Sequence, residues 1–300
     1  MKIFSKRETI LQNMTTMAFF AAINIIICLV SSYLPFLSIV IIFVLPLVSA
    51  LVEIYCKDRY YIIYAASSLL LSMLVTFDNF QTALFYLFPA LVSGYCFGLC
   101  AKKIIPSIYS IILSSLIQVG LTYLSLPLIK LIYEVDMIET FIAFFNVQET
   151  NNLFYIIPSF ILTLSVAQNI FTYIIITIET ARLKNKFTNT YSGLLANSLS
   201  FGAGLLSIIF AFFFPPLSYF FFFIATYFTA YVVYKIIDEK NVILIIFFIV
   251  TILSVIFINA LIYKMIEKSL SLLVINLINV CFSLIYFVFV LLKRQHKKIK

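Results

Sequence analysis

Ten successive stretches of this chain have no Asp, Glu, Lys, Arg or His among their central residues. They run 14–34, 36–56, 60–76, 82–101, 104–132, 153–181, 190–214, 217–236, 242–263 and 270–292. A helix needs about 20 apolar residues to cross roughly 30 Å of hydrocarbon. A charge at its centre costs about 2.5–3.5 kcal/mol on insertion scales. Strands of a membrane barrel alternate apolar and polar residues, and these runs do not. The expected fold class is therefore all-α: a polytopic transmembrane helical bundle of about ten spans, with the lipid bilayer as its surroundings. Composition supports this. Charged residues make up 11% of the chain, against roughly 25% in soluble domains, too few to cover a water-facing surface.

Lys and Arg set the orientation. With the amino end inside, seventeen of the twenty fall in interior segments, and only Lys130, Lys264 and Lys268 fall outside. Removing the weakest stretch, 190–214 with its Gly, Ser and Asn, flips everything downstream and leaves twelve inside against eight outside. The positive-inside rule thus favours ten spans with both ends cytoplasmic. It also accounts for the net charge of +8 without a nucleic-acid partner. Lys2, Lys6 and Arg7 precede a long apolar run, and Ser31-Ser32 is a poor cleavage site. The first run reads as a retained helix rather than a signal peptide.

Pro35 ends the first run, and Pro215-Pro216 makes a turn after the seventh. Pro46, Pro89, Pro127 and Pro158 lie inside apolar runs. One connection is long, Glu134 to Asn152; it reads as an outside lid, a short surface helix or a plain loop. The basic connection Arg182 to Thr190 marks the expected boundary. Residues 1–186 form a six-helix body, and 187–300 a four-helix extension with a basic tail.

Small and polar residues carry the remaining information. Ala18 and Ala22, like Gly94 and Gly98, put small side chains one turn apart, which lets helices approach closely. Asn197, Ser200, Gly204 and Ser207 form one helical stripe that reads as a tight interface with polar glue; a pore lining is the alternative. Asn24, Tyr33, Asp78, Asn79, Gln81, Gln118 and Tyr123 are candidates for an outward-facing substrate pocket in the first six helices. Further amides at depth, Gln168, Asn169, Asn259, Asn276 and Asn279, read as bonds between helices. Glu179 is placed to pair with Arg182. Cys96 and Cys100 read as small core residues, and the single histidine, His296, sits in the tail. No metal site, cofactor or catalytic residue is expected. There is no GxxxxGK[ST], so ATP hydrolysis through a P-loop within this chain is excluded.

Thr15 to Ala22, Leu45-Pro46-Leu47-Val48-Ser49-Ala50 and Phe88 to Gly98 together resemble the substrate-binding (S) components of energy-coupling factor transporters. The longer YybS-like relatives are the most similar. The resemblance covers 14–181, best over 14–103. It implies a bacterial cell-membrane protein, not an enzyme, with six helices and an interior amino end. Loops after helices one, three and five would cap a small nutrient such as a vitamin or metal chelate. Ala18 and Ala22 match the pattern that docks on the family's transmembrane coupling subunit, which works with partner ATPases. Ordinary vitamin-binding members lack the four further helices. The rival expectation is a non-transport assembly or regulatory factor of the cell envelope, acting through the Asn197–Ser207 stripe.

Overall fold

The computed structural model describes residues 7–79, 83–134, 139, 151–182, 193–262 and 268–299. Among these are ten α-helices and no strand. They are α1 (Ile10–Tyr33), α2 (Pro35–Tyr55), α3 (Tyr61–Val75), α4 (Phe88–Lys102) and α5 (Ser107–Tyr133), then α6 (Asn151–Arg182), α7 (Gly193–Phe213), α8 (Pro215–Asp238), α9 (Val242–Ile262) and α10 (Lys268–Ile299). Each of the ten charge-free stretches becomes one helix.

Local chemistry explains the helix ends. Thr9 caps α1 in a reciprocal box with Gln12, satisfying two orphan N–H groups. Pro35 and Pro215 open α2 and α8 at the position where a missing N–H costs nothing. Pro106 caps α5. Pro89 falls in the first turn of α4, directly after a single π turn at Ala83–Leu87. Pro46, Pro127 and Pro158 are interior to their helices.

Among the described residues, seven helices are long and apolar enough to cross a membrane: Ile10–Tyr33, Ala83–Lys102, Ser107–Ile132, Ile157–Ile178, Gly193–Phe213, Pro215–Asp238 and Val274–Leu292. Phe43–Tyr55 and Val242–Ile258 are shorter apolar helices. This is the architecture of a multi-pass membrane protein. Large apolar side chains such as Phe19, Ile62, Leu74, Phe212 and Phe257 point outward, compatible with contact to lipid.

The chain divides into two compact units, 1–149 with 161–190 and 150–160 with 191–300. In the first, α4 lies tightly against α2. A Cβ on Gly94 would stand 2.5 Å from the Pro46 carbonyl oxygen, and one on Gly98 would stand 2.6 Å from Glu53 Cβ. The Gly94–Gly98 face is thus consumed inside the chain. In the second unit α7 and α8 form a close hairpin with Phe214 as its turn, and α10 packs on α7 and α9.

Candidate functional site

Three helices of the first unit gather side-chain oxygens around one buried phenol. Tyr64 on α3 is 1% exposed, and its hydroxyl accepts a hydrogen bond from Asn24 Nδ2 on α1 at 2.8 Å. Ser49 on α2 and Ser68 on α3 flank that hydroxyl without reaching hydrogen-bond geometry. Ser72 lies one turn further along α3, beside Cys28 of α1, and its hydroxyl is likewise unpartnered.

The sequence of α3 explains this placement. Tyr61, Tyr64, Ser68, Ser72 and Thr76 succeed one another at steps of three and four residues, so they share a face. All five are buried, whereas Ile62, Ile63, Leu70, Leu71 and Leu74 are exposed. The helix is apolar outside and polar inside, the reverse of a soluble amphipathic helix. Several other hydroxyls in this unit bond the carbonyl one turn back, as Ser31 does to Ile27 and Ser115 to Ile111. Ser49, Ser68 and Ser72 do not use that outlet. Leaving a buried hydroxyl unmatched costs roughly 1–3 kcal/mol, so this concentration around one ring is unusual.

One end of the cluster is closed by charge. Glu53 sits one turn beyond Ser49 on α2 and is 1% exposed. Lys102 of α4 donates to Glu53 Oε1 at 2.6 Å, to the Cys56 carbonyl at 3.3 Å and also to Asp58. The Lys102 ammonium beside Asp58 holds that carboxyl below its ordinary range. Glu53 Oε2 has no partner. The start of the chain is tied to the same end. Arg7 N donates to Tyr55 O at 2.9 Å, and Lys57 N donates to Asn13 Oδ1 at 2.8 Å.

A second polar seam joins α5 and α6. Gln118 Nε2 donates to Gln168, and Asn169 Nδ2 reaches Ser115 Oγ and Gln118 Oε1 at 3.2 Å and Ser165 O at 2.8 Å. Asn169 Oδ1, Thr172 Oγ1 and Ser114 Oγ are fully buried and unpartnered.

The second unit treats its polar residues differently. Ser200 bonds Thr229 at 2.6 Å, Ser207 and Ser218 exchange bonds with each other's carbonyls at 2.9 and 2.8 Å, and Asn276 donates to Gly204 O at 2.8 Å. Asn197 donates to Ser283 O at 3.0 Å, and Asn279 to Thr226 at 3.1 Å. The Asn197–Ser207 stripe is therefore internal glue against α8 and α10, and neither a pore lining nor a free docking face. Here, among the described buried side chains, only Asn197 Oδ1 and Ser283 Oγ lack a partner.

The sequence-derived pocket is spread over these features. Asn24 is committed to α3 and Gln118 to α6. Tyr33 is exposed, while Asn79 and Tyr123 are half-buried. The Asp78 side chain, Gln81, most of the Glu134–Asn152 connection, the Arg182–Thr190 connection beyond Arg182, and the side chains of Glu179, Arg182 and Asn259 lie outside the described residues. Ala18 and Ala22 are exposed on the outer face of α1. No group of three or more potential ligands from His, Cys, Asp and Glu stands close enough to hold a metal among the described residues. The sequence reading missed Ser49, Tyr64, Ser68 and Ser72. Its available signal was the helical spacing of hydroxyl residues along α3.

Comparison of the chain with protein-family models, curated proteins and solved structures finds no match.

Proposed function

We propose that this protein is an integral membrane substrate-binding component for uptake of a small nutrient, working with a separate ATPase module. The observation that carries the reading is the contrast between the two units. The second unit pairs nearly all its buried polar side chains across helices, as structural glue does. The first keeps fully buried hydroxyls and amide oxygens uncommitted in two places, at Tyr64 and along α5 and α6. Burial without a partner is expensive, and a guest that bonds these groups would offset that cost.

The outer face of α1 fits the second half of the reading. Ala18 and Ala22 are exposed on a helix whose polar side is turned inward, which leaves a flat small-residue strip for a partner helix. In this reading both chain ends are cytoplasmic. The cluster is reached from outside, and reorientation is driven through a coupling subunit docked at Ala18 and Ala22. The envelope-factor reading loses its proposed contact surface, because the stripe on α7 is occupied within its own unit.

Affinity purification of the full-length tagged protein from its native membrane tests the proposal. Co-purification of a membrane coupling subunit with ATPases is the expected result. Recovery of wall-synthesis or division proteins in their place would overturn it.

A further inference from the structure

We propose that the turns joining α2 to α3 and α4 to α5 together form a binding site for the headgroup of an anionic phospholipid. The Lys102 ammonium donates to the Cys56 carbonyl at 3.3 Å and to Asp58, and so draws the two turns together. Lys57 and Arg59 stand on either side of Asp58, and Lys103 follows Lys102. All three are exposed, and none forms an ion pair among the described residues. The Arg59 guanidinium lies 4.5 Å over the Tyr60 ring, a contact that leaves its charge uncompensated. Segments 7–13, 53–60 and 100–106 are tied into one end by these contacts and by the bond from Arg7 N to Tyr55 O. Together they hold five cations, Arg7, Lys57, Arg59, Lys102 and Lys103, against three carboxylates. Glu53 and Asp58 share Lys102, which leaves Glu8 as the one other acid. The excess is positive, and the guest it selects is an anion.

Two isoleucines say which anion. Ile104 N donates to Ala101 O at 3.1 Å and Ile105 N to Cys100 O at 2.9 Å. This is the helix-ending motif whose left-handed residue is usually glycine. Ile104 occupies that place at φ 55°, unfavourable backbone for a β-branched side chain. It is also 54% exposed, and Ile105 37%, so the chain itself buries little of either. The turn lies between Ala83–Lys102 and Ser107–Ile132, both long and apolar enough to cross a membrane. With both helices in the bilayer, the turn lies at its surface. There the isoleucines reach acyl chains while Lys57, Arg59 and Lys103 reach phosphate. A soluble anion would leave the isoleucines in water. The turn between α8 and α9 has the same backbone, but its left-handed residue is Lys240 at φ 52°, beside Asp238 and Glu239. An apolar tip with surplus positive charge is thus particular to the α4–α5 turn and its neighbour.

The site needs neither a nutrient nor an ATPase, so it stands or falls apart from the uptake reading. Full-length protein in neutral detergent, stripped of native lipid, is titrated with dioleoyl phosphatidylglycerol or with dioleoyl phosphatidylcholine. Bound lipid is counted by native mass spectrometry, with inorganic phosphate as competitor. Phosphatidylglycerol should bind at least about tenfold more tightly than phosphatidylcholine, and each of Lys57→Gln, Arg59→Gln and Lys103→Gln should weaken it about fivefold. Lys240→Gln should leave it unchanged. Ile104→Gly supplies the residue that the turn prefers, so the unfolding temperature without lipid should hold or rise while the affinity for phosphatidylglycerol falls. A purely structural role for Ile104 predicts no such fall. Equal affinity for the two lipids overturns the site. Displacement of phosphatidylglycerol by an equal concentration of inorganic phosphate would mark a free-anion site and overturns it too. So does lipid binding indifferent to all three cation substitutions, including the case in which they release a co-purified protein instead and mark a protein docking face.

Discussion

Gly98 is where a single atom decides most. An added methyl would stand 2.6 Å from Glu53 Cβ, 2.8 Å from its Cγ and 3.0 Å from the Ala50 carbonyl. The carboxylate is held by Lys102, so α4 itself must retreat. Overpacking of this kind costs about 1–3 kcal/mol. Gly98→Ala should lower the unfolding temperature in detergent, whereas Gly202→Ala, with nothing within 4 Å of the new atom, should not. Asp58 belongs to the same end. Its carboxyl is held below the ordinary range by the Lys102 ammonium. Its contribution to stability is present above the unfolded-state value and is lost as pH falls through the folded one. The acid limb of the stability–pH curve should therefore be shallower in Asp58→Asn; curves that superimpose would mean that the pair adds nothing. The glycine spacing could be read from the sequence. The pairing of Glu53 with Lys102 could not, because 49 positions separate them and only the α2–α4 packing brings them together.

At the scale of the helix, the charge-free centres fixed where all ten elements lie, because no other secondary structure hides that many apolar residues from water. Which face of each helix turns inward was less legible. On α7 the polar stripe is narrow and regular, and the interface reading of Asn197 to Ser207 held. On α3 the polar positions are hydroxyls scattered among leucines, and Ser and Thr are common on any membrane helix. Their meaning emerged only when α1 and α2 brought Asn24 and Ser49 to the same ring. The outward face of α1 carries a prediction of its own. Ala18→Trp alters an exposed position, so folding and thermal stability should stay within experimental scatter. Capture of a coupling subunit should fall sharply. Unchanged capture would remove Ala18 from the docking surface.

For the molecule as a whole, the proposed ten crossings, an even number, would put both termini on one side. Fused reporters at residues 1 and 300 should both report the cytoplasm, and one placed after Tyr133 the exterior. A split result would reduce the number of crossings and close the proposed route from outside. The α7–α8 hairpin has a further consequence, for how the chain is made. Its two arms are separated by Phe214 alone. The hydroxyls of Ser200 and Ser207 find their partners on the second arm, at Thr229 and Ser218. An α7 released early from the insertion machinery would have to turn those hydroxyls back on its own carbonyls. Leaving the insertion machinery side by side would let the arms form those bonds directly, and a long hydrophilic insert at Phe214 should slow membrane integration before it disturbs the finished fold.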